Sequence, residues 1–173
     1  MEFYGDVATK FLSNFVTHAK FSGRPDRVQA IGHFELPWNQ DEEFGIRVSG
    51  YLLPPVTGDY VFYVASDDQG QLFLSPSEDP AEKRLIGQED YWQSPRAWIA
   101  ARRRVGTPNL SRPIRLEAGN RYYVEAVMKE GEVLDHFAVA WKMPGQAPPK
   151  NGDPPIPGRY LQIPSEWIQL PAR

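Results

Sequence analysis

Proline and glycine interrupt this chain at short intervals throughout its length. Its 173 residues include 17 prolines and 14 glycines, and aromatic residues make up 13% of the chain. Breaks at this frequency favour many short strands joined by turns over long helices. The length suits one domain that buries a core without disulfides, and cysteine is absent. We therefore predict an all-β fold with long connecting loops.

Several segments alternate apolar and polar residues with the period of two that is typical of a half-buried strand. Residues 44–52 show this pattern, with Phe44, Ile46 and Val48 on one face. Residues 59–65 are apolar on both faces, which predicts a central strand between two packed layers. Further strands are predicted at residues 71–75, 84–86, 113–116, 121–129, 136–142 and 159–163.

The segments fit a single domain over residues 1–164. The proline-rich segment 146–158 leads into the closing strand, and residues 165–173 form a C-terminal tail or linker. The first thirty residues allow only a short helical turn or two around residues 7–15. No apolar run approaches the roughly 18 residues of a membrane span, and the first residues do not resemble a signal peptide. We expect no direct membrane insertion, and we expect a module of a larger multidomain protein whose targeting sequence lies elsewhere.

The charge balance argues against nucleic-acid binding. The chain has 19 basic and 22 acidic residues and a net charge of -3, whereas phosphate binding needs surplus cations. The dense basic run Arg102–Arg104 is either a solvated edge or a contact to a phosphate or an anionic sugar. The sequence has no glycine-rich phosphate loop, nucleophile elbow or zinc-protease motif. We therefore expect that the chain is not an enzyme.

Two adjacent carboxylates, Asp67 and Asp68, separate the apolar runs 60–65 and 72–74. Neighbouring side chains on a strand point to opposite faces, so both carboxylates can serve one cation only where the backbone bends sharply. A cis peptide would give such a bend at a cost of about 3–4 kcal/mol, and Gly70 supplies permissive backbone nearby. We predict a hairpin with the two aspartates at its tip. This tip is either a polar turn or a site for a hard divalent cation, with calcium as the first candidate.

A set of segments spread over nearly the whole chain carries a resemblance to a known family. These segments are residues 45–52, 54–62, 65–68, 72–75, 116–119, 122–126, 129–131, 135–141 and 156–161. In them the chain resembles the PA-14 domain family, named for the anthrax protective antigen. The resemblance implies an antiparallel β-sandwich or distorted β-barrel of the lectin-like type found in bacterial adhesins, glycosidases, toxins and surface proteins. It therefore also implies an extracellular or cell-surface location and a carbohydrate partner.

The resemblance also implies a calcium site. In lectin members of the family, two consecutive aspartates joined by a cis peptide hold a calcium ion that contacts sugar hydroxyls, and Asp67 and Asp68 match that pair. Asp135 is the implied third carboxylate, although an aspartate before a strand can equally cap a turn. The second ligand loop, Glu130–Asp135, contains fewer glycines than in bacterial relatives. The bulkier side chains would reshape or close a sugar site.

Further candidate ligand contacts surround the paired aspartates. Tyr91, Trp92 and Trp98 lie in a long loop, where aromatic faces either stack on sugar rings or pack against the sandwich. His136 either orients a ligand or has a structural role. The predicted ligand-binding residues are Gln69, Glu130, Glu132, His136, Tyr91, Trp92 and Trp98.

The sequence thus predicts a noncatalytic, calcium-dependent carbohydrate-binding module of a larger secreted or surface protein. The alternative is a structural or protein- or peptide-interaction module that binds no sugar. A third hypothesis is a hydrolase that uses carboxylates such as Asp68 and Glu130, but the sequence has no distinct catalytic signature.

Overall fold

The structure, a computed structural model, describes residues 1–9, 11–37, 41–99, 109–131 and 135–164. Within these ranges the regular structure is mainly strand, with two short α-helices. The helices are α1 (Leu12–Val16) and α2 (Ala19–Ser22). The strands are β1 (Glu2–Tyr4), β2 (Arg27–Val28), β3 (Gly45–Leu52), β4 (Gly58–Ser66), β5 (Gln69–Leu74), β6 (Arg84–Glu89), β7 (Ile114–Leu116), β8 (Tyr122–Lys129), β9 (Phe137–Lys142) and β10 (Leu161–Gln162).

The larger sheet is antiparallel and runs in the order β2-β1-β3-β8-β5-β6. Its centre is the long pair of β3 and β8, in register from Gly45 opposite Lys129 to Leu52 opposite Tyr122. On the edge of β3 that faces away from β8, strand β1 pairs near the start of β3 and strand β10 pairs near its end. The long central pair therefore organises this half of the molecule.

The smaller sheet has the order β7-β4-β9 and packs face to face with the larger one. Alternate side chains of the two sheets meet in a shared core, as the period of two predicts. The larger sheet contributes Ile46, Val48, Leu72, Val124, Ala126 and Met128, and the smaller sheet contributes Tyr60, Phe62, Val64, Phe137 and Val139.

A second apolar cluster covers the outer face of the smaller sheet. Tyr63 and Ala65 of β4 pack there with Ala138, Ala140 and the indole ring of Trp98. Strand β4 is therefore buried on both faces, which confirms the central position predicted from its continuous apolar run.

The N-terminal helices cover part of the outer face of the larger sheet. Leu12 and Phe15 of α1 pack with Tyr4 and Val127. The Phe15 ring lies so close to Gly45 that a Cβ at position 45 would be 2.3 Å from the Phe15 Cζ atom. The glycine at the start of β3 therefore makes room for α1.

Gly45→Ala is expected to lower the free energy of unfolding by about 1–3 kcal/mol, because its methyl group would overpack the contact with the Phe15 ring. Urea denaturation of the variant and the wild type measures this change. Gly32→Ala is the matched control, since no described atom lies within 4 Å of a Cβ built at Gly32. If both variants unfolded at the wild-type urea concentration, the α1–β3 packing would be incorrect.

The predicted strands each overlap a strand of the structure, and the fold is the predicted all-β sandwich. The strand predicted at residues 84–86 extends further, to Glu89, whereas the closing strand is only Leu161–Gln162. The helical turn expected around residues 7–15 is α1.

The predicted hairpin at Asp67 and Asp68 is wrong. Strand β4 pairs with β7 and β9 in the smaller sheet, whereas β5 pairs with β6 and β8 in the larger sheet. The chain crosses between the two sheets at this point, because both strands place alternate apolar side chains into the core between the sheets. We call residues 66–69 the aspartate corner.

Candidate functional site

The aspartate corner is held by hydrogen bonds to the segment that precedes β9. Asp67 N donates to His136 O at 2.8 Å, and Gly131 N donates to the Asp68 Oδ2 atom at 2.9 Å. Asp68 makes the bend with a φ of 55°, in the left-handed region that aspartate adopts more readily than most residues. The expected cis peptide is not found: the Asp67–Asp68 bond is trans, like the other peptide bonds of the described residues.

Four carboxyl groups around the corner affect one another electrostatically. They belong to Asp67, Asp68, Glu130 and Asp135, and the charges of Asp68 and Asp135 act on both Asp67 and Glu130. In the described part of the chain, however, no three histidine or acidic side chains are placed to hold a metal ion together. Burial raises the pKa of Asp67 to about 6, and the charges of Asp68 and Asp135 add to the increase. Close negative charges disfavour ionisation of each other, so a cation would be attracted to this cluster.

Glu130 is the most deeply buried member of the cluster. Its side chain is 1% exposed, and within the described part of the chain neither carboxylate oxygen has a hydrogen-bond partner. Burial raises its pKa to about 9, with further contributions from the charges of Asp68, Asp67 and Asp135. The side chain lies beneath the surface, so Glu130 is a buried acid in this structure and is not placed to make the direct ligand contact that was predicted.

Asp135 and His136 are also buried, each with an exposed fraction of 3%. Asp135 Oδ2 accepts a hydrogen bond from Asp41 N at 3.4 Å, and His136 Nδ1 lies 3.9 Å from Asp67 Oδ2. Burial lowers the pKa of His136 to about 4, so its imidazole is uncharged near neutral pH. His136 therefore supports the corner from inside. Of the two predicted alternatives, ligand orientation and a structural role, the structure favours the structural role.

Lys129 is a buried cation beside the cluster. It was not among the predicted site residues. Its side chain is fully buried, and its Nζ atom donates a hydrogen bond to Glu130 O. Burial lowers the pKa of Lys129, while the charges of Glu130, Asp68 and Glu43 oppose that change. A lysine at the end of an alternating strand normally reaches solvent, so its burial is not predictable from the sequence.

The loop over residues 90–99 brings exposed aromatic side chains close to the corner. Gln93 N donates a hydrogen bond to Ser66 O at 3.0 Å, which places the loop beside the last residue of β4. Tyr91 and Trp92 directly precede this contact and are 47% and 65% exposed. Both predicted aromatic contacts therefore present ring surface to solvent near the paired aspartates.

Trp98 does not act as a ligand contact, because its side chain is fully buried. Its Nε1 atom donates a hydrogen bond to Asp153 O at 3.1 Å. The Arg96 guanidinium donates to both carboxylate oxygens of Glu35, each at 2.8 Å. These contacts fix the base of the loop that carries Trp92, so Trp98 is an anchor, as the packing alternative proposed.

The two remaining predicted contacts are Gln69, whose side chain has a structural partner, and Glu132, which stays a prediction. The Gln69 Oε1 atom accepts a hydrogen bond from Leu12 N at 2.8 Å, so this side chain holds the start of α1. Glu132 lies outside the described residues, as does the basic run Arg102–Arg104.

A cleft of about 1220 Å³ lies elsewhere, at the edge of β3 where β1 and β10 approach each other. Its walls include Met1, Val48, Leu161 and Pro164, and none of the four clustered carboxyl residues lines it. Its size alone does not indicate a ligand. The aspartate corner combines clustered carboxyl groups with exposed aromatic rings, and it is therefore the candidate site.

Curated relatives match this chain over roughly half its length or slightly more. It is 34% identical over 113 residues to the mouse (Mus musculus) N-acetyl-beta-glucosaminyl-glycoprotein 4-beta-N-acetylgalactosaminyltransferase 1, a match covering 60% of this chain and 10% of that protein. It is 31% identical over 102 residues to dog (Canis lupus familiaris) fibrocystin, covering 56% of this chain and 2% of that protein. The chain thus spans a tenth or less of these relatives.

Two solved structures share the fold. One is the Epithelial Adhesin 6 A domain from Candida glabrata, in complex with Galb1-3GlcNAc, with a TM-score of 0.51 and 14% identity over 70% of this chain and 51% of that chain. The other is an anti-sigma factor domain-containing protein from Clostridium clariflavum, with a TM-score of 0.58 and 20% identity over 94% of this chain and 46% of that chain. Residues 33–153 match the family described as the PA14 domain. This match covers more than half of the sequence, and the chain belongs to the PA14 domain family.

Proposed function

We propose that this chain is a noncatalytic, calcium-dependent carbohydrate-binding module of a larger secreted or cell-surface protein. The observation that carries the proposal is the aspartate corner, where clustered carboxyl groups lie beside exposed aromatic rings. Carboxylates bind hard cations and accept hydrogen bonds from hydroxyl groups, and aromatic rings provide apolar contact surface. The similar fold of an adhesin domain in complex with Galb1-3GlcNAc supports the choice of ligand class.

Asp67, Asp68 and Asp135 are the residues that would hold calcium. These donors are all oxygens, which suits the ion, and beside them lies the buried carboxyl group of Glu130, which has no hydrogen-bond partner among the described residues. Among the described residues, no three histidine, aspartate or glutamate side chains are placed so that they could hold a metal ion together, so the three aspartates would have to move towards one another when calcium binds. Main-chain carbonyls, water and sugar hydroxyls would supply the other ligands. When bound, the ion would link the protein to the sugar.

The geometry supports binding over hydrolysis. A glycosidase needs two carboxyl groups that both reach the glycosidic bond. Asp68 is partly exposed, but Glu130 is 1% exposed and does not reach a bound substrate. The matched segment is 10% of the glycosyltransferase relative, so that activity is not transferred to this chain.

One observation favours the alternative of a structural or protein-interaction module. The buried ammonium group of Lys129 lies next to the acidic cluster and offsets part of its negative charge without a metal ion. The fold would then persist without any ligand at the corner. The exposed rings of Tyr91 and Trp92 favour the carbohydrate-binding function, because an internal structural role does not require them at the surface.

We also propose that the chain is located outside the cell or at the cell surface. A module within a much longer extracellular protein agrees with the small share of the curated relatives that this chain spans. The likeness in fold to an adhesin domain points the same way. Neither described helix has the length and apolar character needed to cross a lipid bilayer.

A glycan array probed with and without a chelator tests the proposed function. We expect binding to a subset of glycans in millimolar calcium and loss of that binding in excess EDTA, because the ion would link protein and sugar. The affinity for single sugars should be weak, since a shallow site buries little surface. Binding that survives EDTA would remove calcium from the proposal. An array without any binding would favour the structural or protein-interaction module.

A further inference from the structure

The N-terminal segment packs against the aspartate corner, although it precedes the residues that match the family, 33–153. Val7 N donates a hydrogen bond to Glu43 O at 2.7 Å, and Glu43 N donates to Gly131 O at 3.0 Å. Gly131 N in turn donates to Asp68 Oδ2 at 2.9 Å. A continuous series of hydrogen bonds therefore joins this segment to the paired aspartates.

The start of α1 is fixed beside the corner by a second contact. Leu12 N donates to Gln69 Oε1 at 2.8 Å, and Gln69 directly follows Asp68. The helix also packs on the larger sheet through Leu12 and Phe15, which are 5% and 0% exposed. The residue that precedes the helix, Phe11, therefore has an anchored backbone next to the site.

The Phe11 side chain is 59% exposed, more than most large apolar side chains of the described residues. Its two apolar neighbours in the same turn, Leu12 and Phe15, already pack α1 onto the sheet, so the fold does not need the Phe11 ring. A ring kept at the surface on an anchored backbone loses little conformational freedom when it binds a ligand.

The corner has a Gln69 flank and a Ser66 flank along the chain, and each flank is bonded to a residue next to an exposed aromatic side chain. Phe11 lies on the Gln69 flank, and Trp92 lies on the Ser66 flank, where Gln93 N is bonded to Ser66 O. The carboxyl groups are between the two flanks along the chain. A single sugar bound at the carboxyl groups would contact the aromatic ring of one flank at most, whereas an oligosaccharide is long enough to contact the rings of both flanks.

We propose that Phe11 is a specificity-determining residue that contacts an outer sugar of an oligosaccharide whose terminal sugar is held at the aspartate corner. The proposal rests on the carbohydrate-binding function proposed above and adds the size of the ligand. It also assigns a role to a segment outside the matched family region. The ligand is an oligosaccharide of at least two sugars, and Phe11 favours longer members of this class over their terminal disaccharides.

A glycan array printed with each structure as a terminal disaccharide and as the parent tetrasaccharide tests the proposal on the full chain. The best pair from the array, in calcium, is then titrated by calorimetry against the wild type, Phe11→Ala and Val16→Ala. Val16 is the matched control, because it lies at the other end of the same helix and is 37% exposed. Phe11→Ala should weaken tetrasaccharide binding by roughly fivefold and change disaccharide binding by less than twofold. Val16→Ala should bind both glycans like the wild type.

The possible failures are distinguishable. If the wild type binds glycans and Phe11→Ala binds the disaccharide and the tetrasaccharide each as tightly as the wild type does, the role of Phe11 is overturned and the proposed function stands. Equal weakening for both sizes would overturn the outer-sugar assignment. A wild type that binds nothing on the array would overturn the proposed function and this inference together. Sedimentation of the wild type as a dimer, and of Phe11→Ala as a monomer, would show that Phe11 binds a second copy of the chain and would overturn the sugar contact.

Discussion

The double variant Asp67→Asn/Asp68→Asn is expected to lose calcium-dependent glycan binding by roughly 100-fold or more, because calcium affinity depends strongly on the number of charged oxygen ligands. The fold should remain intact. An asparagine at position 68 adopts the φ of 55° readily, and its amide oxygen can still accept the hydrogen bond from Gly131 N. Calorimetric titration with calcium chloride, followed by titration with the best array glycan, measures both losses.

The matched control for this double variant is Asp59→Asn. Asp59 is an exposed aspartate on the same strand, β4, but close to the strand's other end. It should leave calcium and glycan binding unchanged. Retention of calcium-dependent glycan binding by the double variant would show that the ion, if it binds, is held elsewhere on the molecule.

Replacement of the buried acid, Glu130→Gln, is expected to stabilise the calcium-free protein at alkaline pH. The pKa of Glu130 is raised from 4.5 to about 9 by burial, so between these values the folded protein holds a proton that the unfolded chain has released. The unfolded state therefore binds fewer protons, and stability falls as pH rises through this window. Glutamine does not titrate, so the variant gains on the wild type by about 1.4 kcal/mol per pH unit, or roughly 4 kcal/mol between pH 5 and pH 8.

Urea denaturation of the wild type and Glu130→Gln at several pH values, in the presence of EDTA, measures this difference. Asp67 and His136 titrate in both proteins, so the comparison isolates the titration of Glu130 together with its coupling to Asp67. Glu125→Gln is the contrasting variant, because Glu125 is also buried but accepts hydrogen bonds from Lys83 Nζ and Tyr123 Oη. It should destabilise the protein. If Glu130→Gln also destabilised the protein at pH 8, the Glu130 carboxylate would have a partner in solution.

The strand positions were largely predictable from sequence because their signal is local. Alternation over residues 121–129 separates the core side chains of β8 from those of its other face, and it does so without knowledge of any partner strand. Strand pairing is not local in the same way. Two apolar runs on either side of Asp67 and Asp68 look alike whether the chain turns back or crosses to another sheet. The partner of β5 is β8, some fifty residues further along, and the hairpin prediction missed it.

The candidate site was predictable to the extent that its residue types indicated chemistry. Asp67, Asp68 and Asp135 were identified from the family resemblance, and in the structure the charges of Asp68 and Asp135 act on the Asp67 carboxyl group, although the three side chains are not placed to hold a metal ion among the described residues. Burial was not predictable, because it depends on packing between distant segments. The aromatic residues Trp92 and Trp98 have similar sequence surroundings, but one is 65% exposed and the other is fully buried behind β4. The burial of Lys129 was missed for the same reason.

The crossing between the sheets has a mechanical consequence. Only two residues, Asp67 and Asp68, join the end of β4 to the start of β5, so the connection has no slack. A force that shears one sheet against the other would act on this connection, and we expect it to change the spacing of the two carboxylates. By thermodynamic reciprocity, a ligand that binds both carboxylates would resist the shear, and the shear would lower the affinity for that ligand. A module built in this way would hold its ligand most tightly at rest and release it under load.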